Sequence, residues 1–236
     1  MLSVRTAPSP SARFIRWLAA ELSHFENGDI IAIGTDGGAA DGVSAWGCAL
    51  RKPGIAEVVG GEDDTNVTAE IAAIHAVLFG LVEIYCTLQL RAVPTCKSFC
   101  LVVDCKPAMA LAKRALLPCS RWRYCDDIAK SVCSLKYVGI SVSFSWVPSH
   151  GKESSDWLPD ARLGEKLMRK LNDAADDACT KVLLPLRENA TRRDWVLANA
   201  AAELWSERAL KLAQRVFDRY DRFLRGHCVE QDVEND

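Results

Sequence analysis

Four acidic residues, far apart along the chain, stand where they could do chemistry. Asp36 follows the apolar run from Ile30 to Thr35, and Asp104 follows Leu101-Val102-Val103. Glu70 falls in the first turn of a helix expected from Val67, and Asp176 falls in a later helix. Each has an ordinary explanation by itself. An Asp after a strand is a common turn or cap residue. A Glu in the first helical turn is favoured by the helix dipole, and an Asp in a polar helix is usually solvated. Brought together they are another matter, because crowded carboxylates repel one another unless a cation sits between them. Mg²⁺ prefers such hard oxygen ligands and keeps several of its waters. Two such ions about 3.5–4 Å apart can acidify an attacking water, stabilise a leaving 3′ oxygen and hold a phosphate for in-line displacement.

The elements that must position these acids follow from changes in hydrophobic period. Phe14, Leu18, Leu22 and Phe25 are spaced as on a helix over residues 11–26, which Asn27-Gly28-Asp29 breaks. Ile30–Thr35, Val43–Arg51 and Ile55–Gly60 read as three strands joined by Gly- and Pro-containing turns, an antiparallel meander. Val67 to Gln89 reads as a helix with an apolar stripe of Ile71, Ile74, Leu78 and Leu81, started by Thr65 or Asn66 as cap. Ser98–Asp104 is nearly all apolar, as a strand covered on both faces must be. Lys106–Ala115 and Arg121–Ser134 read as helices, Gly139–Val147 as a fifth strand, and Arg162 to Leu184 as a helix ended by Pro185. The order βββαβααβα predicts an α/β fold. If strands one and four are neighbours, Asp36 and Asp104 meet at their ends, where functional groups gather in open sheets.

Composition narrows the class. The 236 residues are 49% hydrophobic and 25% charged, as in a folded globular chain. The net charge of −2 means that any nucleic-acid surface must be a local patch. Ten cysteines invite a disulfide reading. The first residues are polar, however, and the apolar stretch after them is interrupted by Arg13 and Arg16, which argues against a secretory signal. Cys96 and Cys100 have no second pair beside them with zinc-ligand spacing. We therefore expect reduced cysteines, no disulfide partner and an intracellular location, nucleus or cytoplasm. No apolar run approaches the roughly 20 residues needed to cross a bilayer, so no membrane partner is expected.

With these pieces in order, the sequence resembles the ribonuclease H family, both cellular and retroelement types. The matching segments are Thr35-Asp36-Gly37-Gly38 with Trp46-Gly47, Ala69-Glu70, Leu101-Val102-Val103-Asp104, Trp146-Val147-Pro148-Ser149-His150 and Asn172-Asp173-Ala174-Ala175-Asp176. They span about residues 27–184. The resemblance implies a ribonuclease H-like mixed five-stranded sheet, three antiparallel strands then two parallel, flanked by helices. Residues 1–26 and 185–236 would be N- and C-terminal helical extensions. It implies two Mg²⁺ or Mn²⁺ ions held by Asp36, Glu70, Asp104 and Asp176, with His150 on a loop beside them to move protons or speed product release. It also implies an endonuclease that hydrolyses the RNA strand of an RNA–DNA hybrid.

The chain departs from the family pattern twice. The stretch from His150 to Asp176 is longer than in compact members, and Lys152 to Lys170 should form a loop and added helical turns. Asp173 and Asp177 then compete with Asp176 as fourth acid. Asp176 is preferred because it fits the N-x-x-A-D pattern and shares a helix face with Asn172. The residues before Glu70 are Val67, Thr68 and Ala69, where the family often has Arg, Met and paired Asn.

Telling RNA from DNA requires contact with the 2′-hydroxyl. Candidates are Asn66 and the backbone at Gly37, Gly38 and Ala39, small residues that allow close approach. Arg121 and Trp122, near Lys113, Arg114 and Arg123, are candidates for gripping the DNA strand. The chain could also be the ribonuclease H part of a retrotransposon polyprotein, with a reverse transcriptase upstream. The alternative reading is a catalytically weak or inactive ribonuclease H-like module that binds nucleic acid or protein.

Overall fold

The computed structural model describes residues 9–27, 30–40, 43–59, 65–88, 98–114, 124–149, 154 and 157–187, all within the unit Met1–Asn189. His150, Arg121, Trp122, Arg123 and the helices expected beyond 187 lie outside the described residues.

A five-stranded sheet runs in the order β3-β2-β1-β4-β5. Its strands are β1 (Ile30–Ala40), β2 (Val43–Ala49), β3 (Ile55–Val59), β4 (Ser98–Val103) and β5 (Ser141–Trp146). β1, β2 and β3 are antiparallel, while β4 and β5 add on parallel to β1. This is the mixed sheet expected of a ribonuclease H-like fold.

The strands alternate side chains between two unlike faces, as the pleat dictates. Ile31, Ile33, Trp46, Cys48, Phe99, Leu101 and Val103 point to one face. There they meet α2 (Asn66–Val82), with α1 (Ala12–Leu22), α3 (Lys106–Arg114) and α4 (Cys125–Tyr137) around it. Small residues line the other face under α5 (Glu165–Arg187): Ala32, Ala45 and Ala49 meet Leu171, Ala174, Ala175 and Cys179. Glycine is required where α5 lies closest to the strands. A Cβ on Gly34 would stand 2.4 Å from the Leu171 carbonyl oxygen, and one on Gly47 would stand 2.5 Å from that of Ala175.

α1 is bound in by its own residues. Ser11 caps it, its Oγ accepting the Phe14 N–H at 3.2 Å, and also donates from N and Oγ to the Glu57 carboxylate on β3. Phe14 meets the Trp46 ring edge-on at 4.9 Å. Burying Phe14, Leu18 and Leu22 completely is worth about 1.5–3 kcal/mol each.

Several boundaries differ from expectation. β1 does not stop before Asp36 but continues to Ala40, because β2 stays paired with it as far as Val43. α2, capped by Thr65, passes into a π turn over Glu83–Thr87. Asn66–Thr87, 22 residues, is therefore long and apolar enough to span a bilayer, contrary to the sequence reading; here it is mostly buried as the core helix. Pro185 does not end α5, which continues to Arg187. It falls in the last turn, where its fixed φ is helical and only one backbone hydrogen bond is forfeited.

Candidate metal centre

β4 pairs with β1 only as far as Thr35↔Val103. Asp36 and Asp104 are thus the next residues on two parallel neighbours, and both emerge at the carboxyl end of β4. Glu70 is delivered by α2, whose first turn presses directly on β1: a Cβ on Gly37 would lie 2.1 Å from the Glu70 backbone nitrogen. The sequence suggested that Gly37 is small to admit substrate. In the structure the missing side chain also makes room for α2, which brings the third carboxylate against the first.

The result is a compact cluster in which one oxygen each of Asp36, Glu70 and Asp104 lies within 4.8 Å of the others. Asp104 is tied from two sides. Its backbone carbonyl accepts the Trp146 indole N–H at 2.8 Å, and its Oδ2 is 3.5 Å from Asn172 Nδ2 on α5. Lys106 in turn places its ammonium 3.7 Å from the centre of the Trp146 ring, a cation–π contact. Farther along, Asp160 binds Arg162 and Ser145, which braces the loop between β5 and α5 and holds the Asp160 carboxyl below its usual range.

Without a cation the cluster is electrostatically costly. Burial, then the charges of Asp104 and Asp176, push the Asp36 carboxyl up to about 7, against a smaller pull from the Gly37 N–H and Cys179. Burial, then Asp36 and Asp104, push Glu70 up to about 12. Glu70 is only 5% exposed, yet its Oε2 has no hydrogen-bond partner among the described residues. An orphaned buried carboxylate oxygen beside two other carboxylates fits a divalent cation: the ion would supply the missing partner and cancel the repulsion.

The cluster opens into a cavity of about 400 Å³. Asp176 lines it, outside the tight group of three but close enough to raise Asp36. Its rivals point elsewhere. Asp173 is exposed, and Asp177 is paired with Lys52 at 2.7 Å. Gly37, Gly38, Ala39 and Asn66 also line the cavity. Ala39 and Asn66 bind each other, the Ala39 N–H donating to Asn66 Oδ1 at 2.7 Å. Lys113 and Arg114 are exposed at the end of α3.

Sequence reading missed Cys105, Ser149, Cys179, Thr180 and Leu183, which complete the cavity wall. The last three stand three, four and seven residues after Asp176 and so share its side of α5; that spacing was the available signal. Burial, then Asp36, raises the Cys179 thiol to about 12. The described cysteines are all free.

No family model matches this sequence, and neither does any curated protein. Solved structures do. Ribonuclease H1 of the halophilic archaeon Halobacterium salinarum NRC-1 is 15% identical over 65% of this chain and 99% of its own, with a TM-score of 0.36. LC11 ribonuclease H1, isolated from compost by a metagenomic approach and solved in complex with an RNA/DNA hybrid, is 16% identical over 64% and 98%, with a TM-score of 0.39. The N-terminal ribonuclease H domain of a Mycobacterium tuberculosis protein is 15% identical over 64% and 99%, with a TM-score of 0.35.

Proposed function

We propose that this chain is a divalent-cation-dependent endoribonuclease that hydrolyses the RNA strand of RNA–DNA hybrids, leaving 5′-phosphate and 3′-hydroxyl ends. The observation that carries the reading is the trio of Asp36, Glu70 and Asp104, drawn within 4.8 Å in a partly open cavity with a buried carboxylate oxygen unpartnered among the described residues.

Asp36, Glu70 and Asp104 would hold the cations, with Asp176 as the outer fourth ligand. When bound, two Mg²⁺ or Mn²⁺ ions supply a more acidic water, charge for the leaving oxygen and an anchor for the phosphate. The protein contributes position. Trp146 and Asn172 fix Asp104, and Gly37 allows α2 to set Glu70 beside Asp36. Asn66, with the backbone at Gly37, Gly38 and Ala39, forms the wall against which a 2′-hydroxyl can be sensed. The Ala39 N–H is already taken by Asn66 Oδ1, so the Asn66 side chain is held at that wall by the strand itself. His150 is assigned the proton-handling role that the resemblance gives it. Arg121 and Trp122 are assigned the DNA strand.

The test is an end-labelled RNA–DNA hybrid incubated with the full chain in Mg²⁺ or Mn²⁺, beside Asp104→Asn and a chelator control. Cleavage of the RNA strand alone, absent in both controls, supports the reading. An intact hybrid with wild-type protein refutes it, and cutting of duplex DNA instead would reassign the substrate.

A further inference from the structure

A second cavity, of about 490 Å³, lies between α5 and β3. Among the described residues it shares no lining with the acid cavity: Asp176 and Thr180 on α5 face one, Asp177 and Lys181 the other. Its floor is apolar and built largely from small side chains, with Ala56, Ala174 and Ala178 buried beside Ile55. Gly54 holds the β2–β3 turn close to that floor, since a Cβ on it would stand 2.7 Å from the Cys48 carbonyl oxygen and 2.9 Å from that of Ala174. The rim is cationic. Arg13, Lys52 and Lys181 line the cavity from α1, the β2–β3 turn and α5, and all three are exposed. Of the three, only Lys52 forms an ion pair among the described residues, with Asp177 at 2.7 Å. Asp177 is also the one acid among the described lining residues. Asp173, one turn earlier on α5, acts on Lys52 more weakly, and Glu57 on β3 is engaged by Ser11 instead.

We propose that this cavity binds a small organic phosphate monoester, with its dianionic head at the rim and an apolar, ring-sized body on the floor. The volume is that of a small-molecule site, in which a few polar groups are set around an apolar lining. Three cations against one lining acid suit a dianion better than a singly charged carboxylate. Arg13 offers a planar fork that can take two phosphate oxygens, and Lys181 offers a compact charge. Asp177 works against the ligand, because it occupies Lys52 and repels the incoming head. The ligand binds without covalent change, and the site stands whether or not the acid cluster cuts RNA.

The test is calorimetric titration of the full chain with phenyl phosphate and with adenosine 5′-monophosphate. A chelator is present, so that no metal-held phosphate at the acid cluster contributes. The expected result is saturable binding of both monoesters, with inorganic phosphate and phenol each binding about tenfold more weakly or worse. Arg13→Gln and Lys181→Gln should each weaken phenyl phosphate binding about tenfold, as loss of a charge-assisted contact does. Asp177→Asn should tighten it about threefold, the scale of an exposed ion pair released. The opposite sign separates a ligand site from damage to the fold, which would weaken binding in every variant. If either glutamine variant fails to fold by circular dichroism, Lys52→Gln replaces it and should also weaken binding. Absence of saturable binding by both monoesters overturns the proposal. So does binding that ignores Arg13 and Lys181, or that weakens in Asp177→Asn. A 5′-phosphorylated oligonucleotide that binds through Arg13 and Lys181 where both monoesters fail overturns it too, and assigns the surface to nucleic acid.

Discussion

On the α2 side of the sheet, Ile31, Ile33, Trp46, Phe99 and Leu101 interlock with Ile71, Ile74 and Leu78. On the α5 side the same strands present Ala32, Ala45 and Ala49, with Gly34 and Gly47 in contact with the helix backbone. The bulky face buries most of the apolar area and should supply most of the stability. The small-residue face buries fewer large side chains, Val43, Val102, Met168 and Leu171 among them, but it fixes distance, since a helix lying on glycine has no side chain to yield. The acid cluster sits where the faces meet, with Glu70 coming from one and Asp176 from the other. Stability and site geometry are thus partly separable, and substitutions on the two faces should fail in different ways.

Asp36→Asn should produce the largest effect. Hybrid cleavage should fall below detection in a labelled-substrate assay while the metal-free protein becomes more stable. The sign follows from the raised Asp36 carboxyl. Its contribution to stability is complete below the ordinary value of 3.8 and is lost as pH rises through about 7. At pH 8 without metal, removing the charge should therefore gain about 2–4 kcal/mol in denaturant titrations. Mg²⁺ should stabilise wild type and have much less effect on the variant. A wild type whose unfolding ignores both pH over this range and Mg²⁺ would contradict the electrostatic account.

Leu78→Ala probes the other face. Leu78 is fully buried, and the cavity left behind should cost about 2–5 kcal/mol. Surviving folded protein should cut hybrids with unchanged metal dependence. Gly47→Ala should cost less, about 1–3 kcal/mol for overpacking, yet damage activity more per kcal/mol. The new methyl would meet the Ala175 carbonyl oxygen at 2.5 Å, and lifting α5 there displaces Asp176 next to it. If Gly47→Ala lowers the melting temperature but leaves the cleavage rate and Mg²⁺ requirement of the folded protein intact, α5 does not set the site's geometry.

The bulky face was the more legible in sequence. Alternation in the strands and the Ile71, Ile74, Leu78 and Leu81 stripe carry a strong periodic signal. The strand order followed once Asp36 and Asp104 were taken to end neighbouring strands. The small-residue face was nearly silent, because Gly34, Gly47 and Ala175 give no hydrophobic period. That Gly37 serves helix packing depends on a contact between β1 and α2, which no local spacing reveals. Asp36 lies mid-strand because β2 outruns β4, and relative strand length is settled by pairing. Trp146 and Asn172 hold Asp104 from elements remote in sequence, so their motif was visible but their partners were not.

His75 sharpens the comparison from within α2. It is buried against Tyr124 and Phe79, with ring centroids at 5.4 and 6.1 Å. Burial holds its imidazole below the ordinary value, and Asp127 offsets this only in part. The neutral ring thus contributes stability above about pH 6.5 that is lost as pH falls below that value. His75→Phe keeps the aromatic contacts and should flatten the acid side of the stability profile. An unchanged slope would mean that other groups dominate there.

The smallest effect should come from Asp177→Asn, and its contrast with Asp176→Asn is the most discriminating result on α5. The two residues are adjacent in sequence but point about 100° apart around a helix. Asp176 faces the cavity, while Asp177 faces Lys52 in an exposed ion pair. Exposed pairs contribute little because water and salt screen them. Asp177→Asn should therefore leave both melting temperature and cleavage rate near wild type, whereas Asp176→Asn should slow cleavage and raise the Mg²⁺ concentration needed for half-maximal rate. Equal losses from the two changes would show that the side of α5 on which a carboxylate sits does not matter. The chemistry would then be responding to the net charge of the helix, and Asp176 would have no claim to be the fourth ligand.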